Sequence, residues 1–289
     1  MIHILAVSFG SAVVVAAVLA LSAVGFTLRY AVSGVFDLTF GALMGVSVVV
    51  AFSLTQDGLS LWVATLLAAI AMGITSVLVE ALVVRPMAAR GATPWVMMIV
   101  TFALGLAIQA GVLGTFGPSF NSFALSGATH RIGTVVITTD QLWILLITAV
   151  AMVMVGAVLH FSQWGRATRA TATNPELAES CGVRVRTVRT LTWFVSGTFC
   201  GVAGVLEAVQ VGSFTYSSWE LFFPLIIAAA IVGGVGRVGG AVGGALLIGL
   251  VAALGSALIS STYEDVIALG ILVVVLLVRR GGLFVRAAA

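Results

Sequence analysis

Apolar residues run along the chain in long blocks and do not alternate with polar ones. The blocks cover residues 5–28, 36–54, 61–84, 95–115, 142–161, 191–212, 221–235, 238–259 and 266–278. A helix rises about 1.5 Å per residue, so about 20 mainly apolar residues span a hydrocarbon core of about 30 Å. The seventh and ninth blocks are short for a crossing, and the eighth is glycine-rich at its start. The pattern predicts an all-α integral membrane protein, a polytopic bundle of eight or nine transmembrane helices with some short or broken. Almost nothing is left over for a soluble part, so residues 1–289 are expected to form a single transmembrane domain.

The longest polar interruption, residues 165–189, carries Arg166, Arg169, Arg184, Arg186 and Arg189. A short helix is predicted in its middle. Asn174 is a favoured N-cap, Pro175 fits the first helical position, and Glu176 suits the positive end of the dipole. Leu177, Ala178 and Cys181 follow, and Gly182 supplies a C-cap. A helix of about two turns is not stable alone in water, so its own protein or a partner must hold it. Its face is a poor match to the basic, aromatic-rich pattern of helices that lie on lipid, which favours a partner.

Mean hydropathy is +1.23 and only 8% of residues are charged, against about 25% in soluble domains. All thirteen basic residues are Arg. Without Lys there is no phosphate-binding P-loop, so any ATP is hydrolysed by another chain. With the loop 85–93 placed inside, twelve Arg fall on the cytoplasmic side, Arg29 among them, and only Arg131 falls outside. The N-terminus is then external and the C-terminus cytoplasmic. The first block has no basic region before it and is expected to be a retained helix, not a secretory signal. Cys181 and Cys200 fall at different levels, so no disulfide is expected, and the three scattered His predict no metal site.

The external loop 116–141 begins with turn chemistry at Gly117-Pro118, and its β-branched run 134–139 predicts a short strand. It suits either a docking surface or a lid over helix ends. The 33 glycines imply close helix contacts, as at Gly41 and Gly45 or Gly197 and Gly201. The run containing Gly234, Gly236, Gly239 and Gly240 predicts a tight turn or broken helix. Its match to a dinucleotide fingerprint is rejected, because no soluble strand precedes it.

Asp37 lies between two apolar blocks, where it either caps the second helix or faces a pathway. Thr39, Phe40 and Thr101 are further pathway candidates. Glu80 and Glu207 also interrupt apolar runs, Glu80 near enough to the inner boundary to snorkel. A weak echo relates Val32-Ser33-Gly34-Val35-Phe36-Asp37 to Val232-Gly233-Gly234-Val235-Gly236-Arg237 at three of six positions, both on the cytoplasmic side, which an inverted repeat forbids. Broken helices at related positions are a transporter feature. A membrane enzyme needs a convergent catalytic set, which is lacking. An ion-coupled transporter has only Asp37, Glu80 and Glu207 to build a relay from.

Three segments carry a family resemblance: Gly165-Arg166-Ala167-Thr168-Arg169-Ala170 with Asn174, Ala178 and Gly182; Gly201-Val202-Ala203-Gly204-Val205-Leu206; and Ala230 to Gly236 followed by Gly239 to Ala245. The chain resembles the permease subunits of ABC importers for branched-chain amino acids, the shorter of two unlike permeases. More distantly it is similar to permeases for urea or short amides and for simple sugars. The resemblance implies a bacterial inner-membrane protein with a second permease, two ATPase subunits that hold ATP and Mg, and an external solute-binding protein. It implies no cofactor on this chain and no nucleic acid. It also implies that residues 174–182 are a cytoplasmic coupling helix. One departure stands out: amino-acid permeases usually show Asn-x-Ala-His-Gly where this chain reads Asp37-Leu38-Thr39-Phe40-Gly41, closer to the sugar-permease pattern.

Overall fold

Each apolar block contains a helix or most of one in the computed structural model, which describes residues 2–117, 121–123, 129–132, 135–215, 219–234, 236–258 and 264–278. The first half contains α1 (Ile2–Ser33), α2 (Thr39–Gln56), α3 (Leu61–Val79), a π-helical turn (Glu80–Val84), α4 (Arg85–Ala89) and α5 (Pro94–Phe116). A hairpin of β1 (Thr129–Ile132) and β2 (Val135–Thr138) leads into α6 (Thr139–Phe161). Then come α7 (Gln163–Thr173), α8 (Pro175–Ser180), α9 (Val185–Val211), α10 (Trp219–Gly233), α11 (Val238–Leu258) and α12 (Glu264–Val278). Among the described residues six helices are long and apolar enough to cross a membrane: Gly10–Ser33, Thr39–Gln56, Leu61–Ala89, Pro94–Phe116, Thr139–Phe161 and Val185–Val211.

Burial orders these helices. The apolar window of α1 is 78% buried, whereas those of α5 and α6 are 17% buried. So α1 is the central post, packed by α6, α9, α10 and α11, and α5 stands outside α2. Lipid tails are as apolar as Leu, so helices in a membrane associate through close packing more than through the hydrophobic effect. The glycine face of α9 shows how. A Cβ on Gly197 would lie 2.6 Å from the Met72 carbonyl oxygen, and one on Gly201 would lie 2.7 Å from Ala69 Cα. Both spacings are too short for any side chain, so α9 and α3 meet almost backbone to backbone.

The strand expected in 134–139 is β2, and it pairs antiparallel with β1, Thr129 opposite Thr138 and Ile132 opposite Val135. Thr138 then starts α6 with a capping box. Its hydroxyl accepts from the Gln141 amide at 3.3 Å, and its own amide donates to Gln141 Oε1 at 3.1 Å. The expected break between the seventh and eighth blocks is also present. α10 ends at Gly233, Gly234 and Gly236 take φ of +93° and +89°, and Gly239 and Gly240 open α11. Val235 lies outside the described residues. At the echoed position Gly34 ends α1 with φ +67°.

The 165–189 segment is more helical than its sequence suggests. Only α8 is expected, yet α7 precedes it and α9 begins at Val185, ahead of the predicted block. Ser162 makes α7 possible, its hydroxyl accepting from the Gly165 amide at 3.0 Å.

Candidate functional site: the α1–α2 corner and the exposed helix α8

Arg29 sits in the penultimate turn of α1 and is 1% exposed. This corrects its expected place in a cytoplasmic loop: α1 runs on past it to Ser33. Its guanidinium is ion-paired with Asp37, which is fully buried. Nε donates to Ser196 Oγ at 3.0 Å and Nη2 donates to Ser76 Oγ at 2.6 Å. The guanidinium carbon also lies 4.4 Å from the Trp193 ring centroid and 5.2 Å from that of Phe40. One cation therefore ties α1 to the start of α2, to α3 and to α9, with its charge compensated and a partner on each guanidinium nitrogen. A buried charge needs both conditions to persist in an apolar interior.

Asp37 does a second job. Its Oδ1 accepts from the Thr39 amide at 3.0 Å and from the Thr39 hydroxyl at 2.6 Å. Thr101 on α5 accepts from the Leu38 amide at 3.3 Å. The first amides of a helix have no partner within it. Leu38 has no side-chain cap to offer, so Asp37 and Thr101 satisfy the start of α2. Asp37, Thr39, Phe40 and Thr101 thus come together at one buried corner. A groove lies beside this corner. Leu38, the N-cap of α2, Ala42 of α2, Phe102 and Gln109 of α5, and Phe223 of α10 line its volume of about 480 Å³.

Glu80 does not snorkel. It is fully buried and ion-paired with Arg85, whose Nε donates to Glu80 Oε1 at 3.0 Å and whose Nη2 donates to Thr190 Oγ1 at 2.9 Å. The π-helical turn makes this possible. The Arg85 amide bonds the Glu80 carbonyl, an i to i+5 step, which brings residues five apart onto one side. Glu207 lines a small cavity of about 60 Å³ beside Met44, Gly204 and Trp219.

At the end of the bundle where α6 turns into α7, α8 is built as its sequence predicts. Asn174 Oδ1 accepts from the Leu177 amide at 3.0 Å. The Gly182 amide donates to the Glu179 carbonyl at 2.9 Å, and the Val183 amide donates to the Ala178 carbonyl at 3.0 Å. This pair is a Schellman motif, and Gly182 at φ +85° is the residue that permits it. Ala178 is buried at 4% exposure, so the protein itself holds the helix. Asn174, Pro175, Glu176, Glu179 and Cys181 are exposed, and Leu177 projects outward at 61% exposure. Among the described residues no cluster of three or more His, Cys, Asp or Glu side chains converges.

A polytopic helical bundle packed through glycine, with a polar helix presented at one end, is the build of a membrane transport subunit. The sequence pattern of the family described as branched-chain amino acid transport system / permease component matches residues 8–276, and the chain belongs to that family. It is similar to the high-affinity branched-chain amino acid transport system permease protein LivH of Salmonella typhimurium, with 28% identity over 92% of this chain and 91% of that protein. A probable branched-chain amino acid transport permease protein LivH of Methanocaldococcus jannaschii is 29% identical over 94% of this chain and 90% of its own length. The galactofuranose transporter permease protein YtfT of Escherichia coli is 28% identical over 83% of this chain and 67% of its own length.

Proposed function

We propose that the chain is the transmembrane permease of a binding-protein-dependent ABC importer for branched-chain or related amino acids. It forms one side of the translocation pathway and takes its energy from separate ATPase subunits. Residues 1–289 act as a single permease domain in the bacterial inner membrane. Of the eight or nine crossings expected, nine put the N-terminus outside and the C-terminus in the cytoplasm. The charge distribution supports this orientation without Arg29, because eleven of the remaining twelve Arg stay on the inner side.

A second permease, unlike this one, completes the pathway. Two ATPase subunits carrying ATP and Mg sit beneath α7–α9, and a solute-binding protein delivers cargo from outside. The groove beside Leu38 and Phe102 is this chain's wall of the pathway, with the Asp37, Thr39, Phe40 and Thr101 corner fixing its shape from behind. The two end states are close in energy, and nucleotide binding selects between them.

The observation that carries the coupling role is the seating of α8. Ala178 anchors it to its own bundle, while Leu177 and the flanking acids are offered outward. Such a helix can pass a push from a partner into α7 and α9 without itself unfolding. Leu177→Arg tests this, because the side chain is exposed and its replacement leaves the bundle intact. In the assembled complex, stimulation of ATP hydrolysis by loaded binding protein should fall about tenfold, as for loss of an interface anchor. Full stimulation with normal uptake refutes the coupling role.

The Asp37-Leu38-Thr39-Phe40-Gly41 pattern and the likeness to a galactofuranose permease favour a sugar as the second choice of cargo. Saturable leucine uptake that hexoses do not compete decides for the amino acid. The reverse competition decides for the sugar.

A further inference from the structure

A groove of about 660 Å³ opens between α1, α6, α7 and the α10–α11 turn. Its volume falls among small-molecule sites, about 300–1,000 Å³. One part of it is basic, lined by Arg169 of α7, Arg237 of the turn and His160 of the last turn of α6. Arg169 is held there by a hydrogen bond from its guanidinium to the Leu159 carbonyl. Elsewhere the accessible wall is apolar, formed by Val153 and Leu159 of α6 and Val238 and Val242 of α11. Among the described residues no acid lines the groove. The bond to a backbone carbonyl leaves the Arg169 charge uncompensated by any carboxylate in the groove.

We propose that this groove binds one anionic phospholipid of the inner leaflet. The phosphate lies between Arg169 and Arg237, and the acyl chains run along Val153, Leu159 and Val242. Guanidinium forks match phosphate oxygens in charge and geometry. Basic pockets between spanning helices at the cytoplasmic face are suited to anionic headgroups. A free anion has no use for the long apolar wall, whereas a lipid uses both parts at once. The inner-leaflet assignment rests on the orientation given under Proposed function; the chemistry of the groove does not.

Gly156 allows the two parts to be tested apart. It lines the groove, and a Cβ there meets nothing within 4 Å, so a large side chain enters open space. The complex, purified with its companion subunits, is incubated with phosphatidylglycerol or phosphatidylcholine, and retained lipid is counted by native mass spectrometry. Phosphatidylglycerol should be retained preferentially. Arg237→Gln, in an exposed turn, and Arg169→Gln/Arg237→Gln should lower retention progressively, the pair by roughly tenfold or more. Gly156→Phe should lower it without altering charge. Arg184→Gln, at an exposed site outside the groove, should leave it unchanged.

Equal retention of the two lipids overturns the proposal. So does full retention in the Arg pair. If Gly156→Phe has no effect and inorganic phosphate displaces the lipid, the site is an anion site and the proposal fails. Loss of a companion subunit from Gly156→Phe with unchanged lipid makes the groove a subunit interface, which also refutes it. Lipid retention is read without transport, so its failure and that of the importer assignment are separate results.

Discussion

Arg29 and Asp37 stand eight positions apart on either side of the end of α1, yet they form one buried unit with Ser76 and Ser196. Removing one member of such a pair strands the other. Asp37→Ala should cost roughly 3–5 kcal/mol of stability in detergent, and Arg29→Met/Asp37→Leu should cost less than Asp37→Ala alone. Thermal unfolding of the two variants and of Arg29→Met completes a double-mutant cycle; purely additive losses would show that the two residues are not coupled. Thr101→Val keeps the side-chain shape but leaves the Leu38 amide without its acceptor, so a loss of about 1 kcal/mol is expected by the same assay. Asp37 was legible in the sequence because a carboxylate inside an apolar stretch calls for a partner. Arg29 was not, since a positive-inside count assigns an Arg near a helix end to the loop. The contact that corrects this lies across the bundle, on α3 and α9.

At the level of helices, small residues decide which faces meet. Gly201→Leu drives a side chain into Ala69 and Met72 of α3 and should destabilise the purified protein by about 1–3 kcal/mol or prevent its recovery. Gly114→Leu is the matched control: a Cβ there meets nothing within 4 Å, so a change within about 0.5 kcal/mol is expected. Similar melting of the two variants would remove the tight α3–α9 seam from the account. The legibility of the helices follows the same physics. α8 could be read because Asn174, Pro175 and Gly182 each carry a backbone meaning. α7 could not, because its Thr- and Arg-rich stretch holds no large apolar residue after Trp164 and its start depends on a single serine cap. The π-helical turn left no mark either. It shows only when Glu80 and Arg85 are found paired.

For the molecule as a whole, α5 and α6 are the least buried long helices, and large apolar side chains such as Ile99, Phe102, Leu106, Leu146 and Val153 are exposed on them. Lipid or another subunit must cover most of that surface. The groove beside Phe102 can be separated from it by charge. An Arg facing lipid costs about 2.5–3.5 kcal/mol on insertion scales, which would reduce the amount of protein in the membrane. If the groove is aqueous, Phe102→Arg should insert at the normal level while uptake falls severalfold. Reduced insertion would mean that this face meets lipid. The membrane character of the chain was plain from its apolar blocks, and the six candidate spans follow them closely. The order of burial was not, because periodicity ranks faces only where water lies on one side.

The two cysteines differ in a way that experiment can use directly. Cys181 is exposed beside the Gly182 turn and Cys200 is buried in α9. A membrane-impermeant maleimide therefore has one reactive thiol to find, with no engineering of the chain. A fluorophore attached there reports from the edge of α8, and its access from one side of a sealed vesicle reveals which compartment that helix faces.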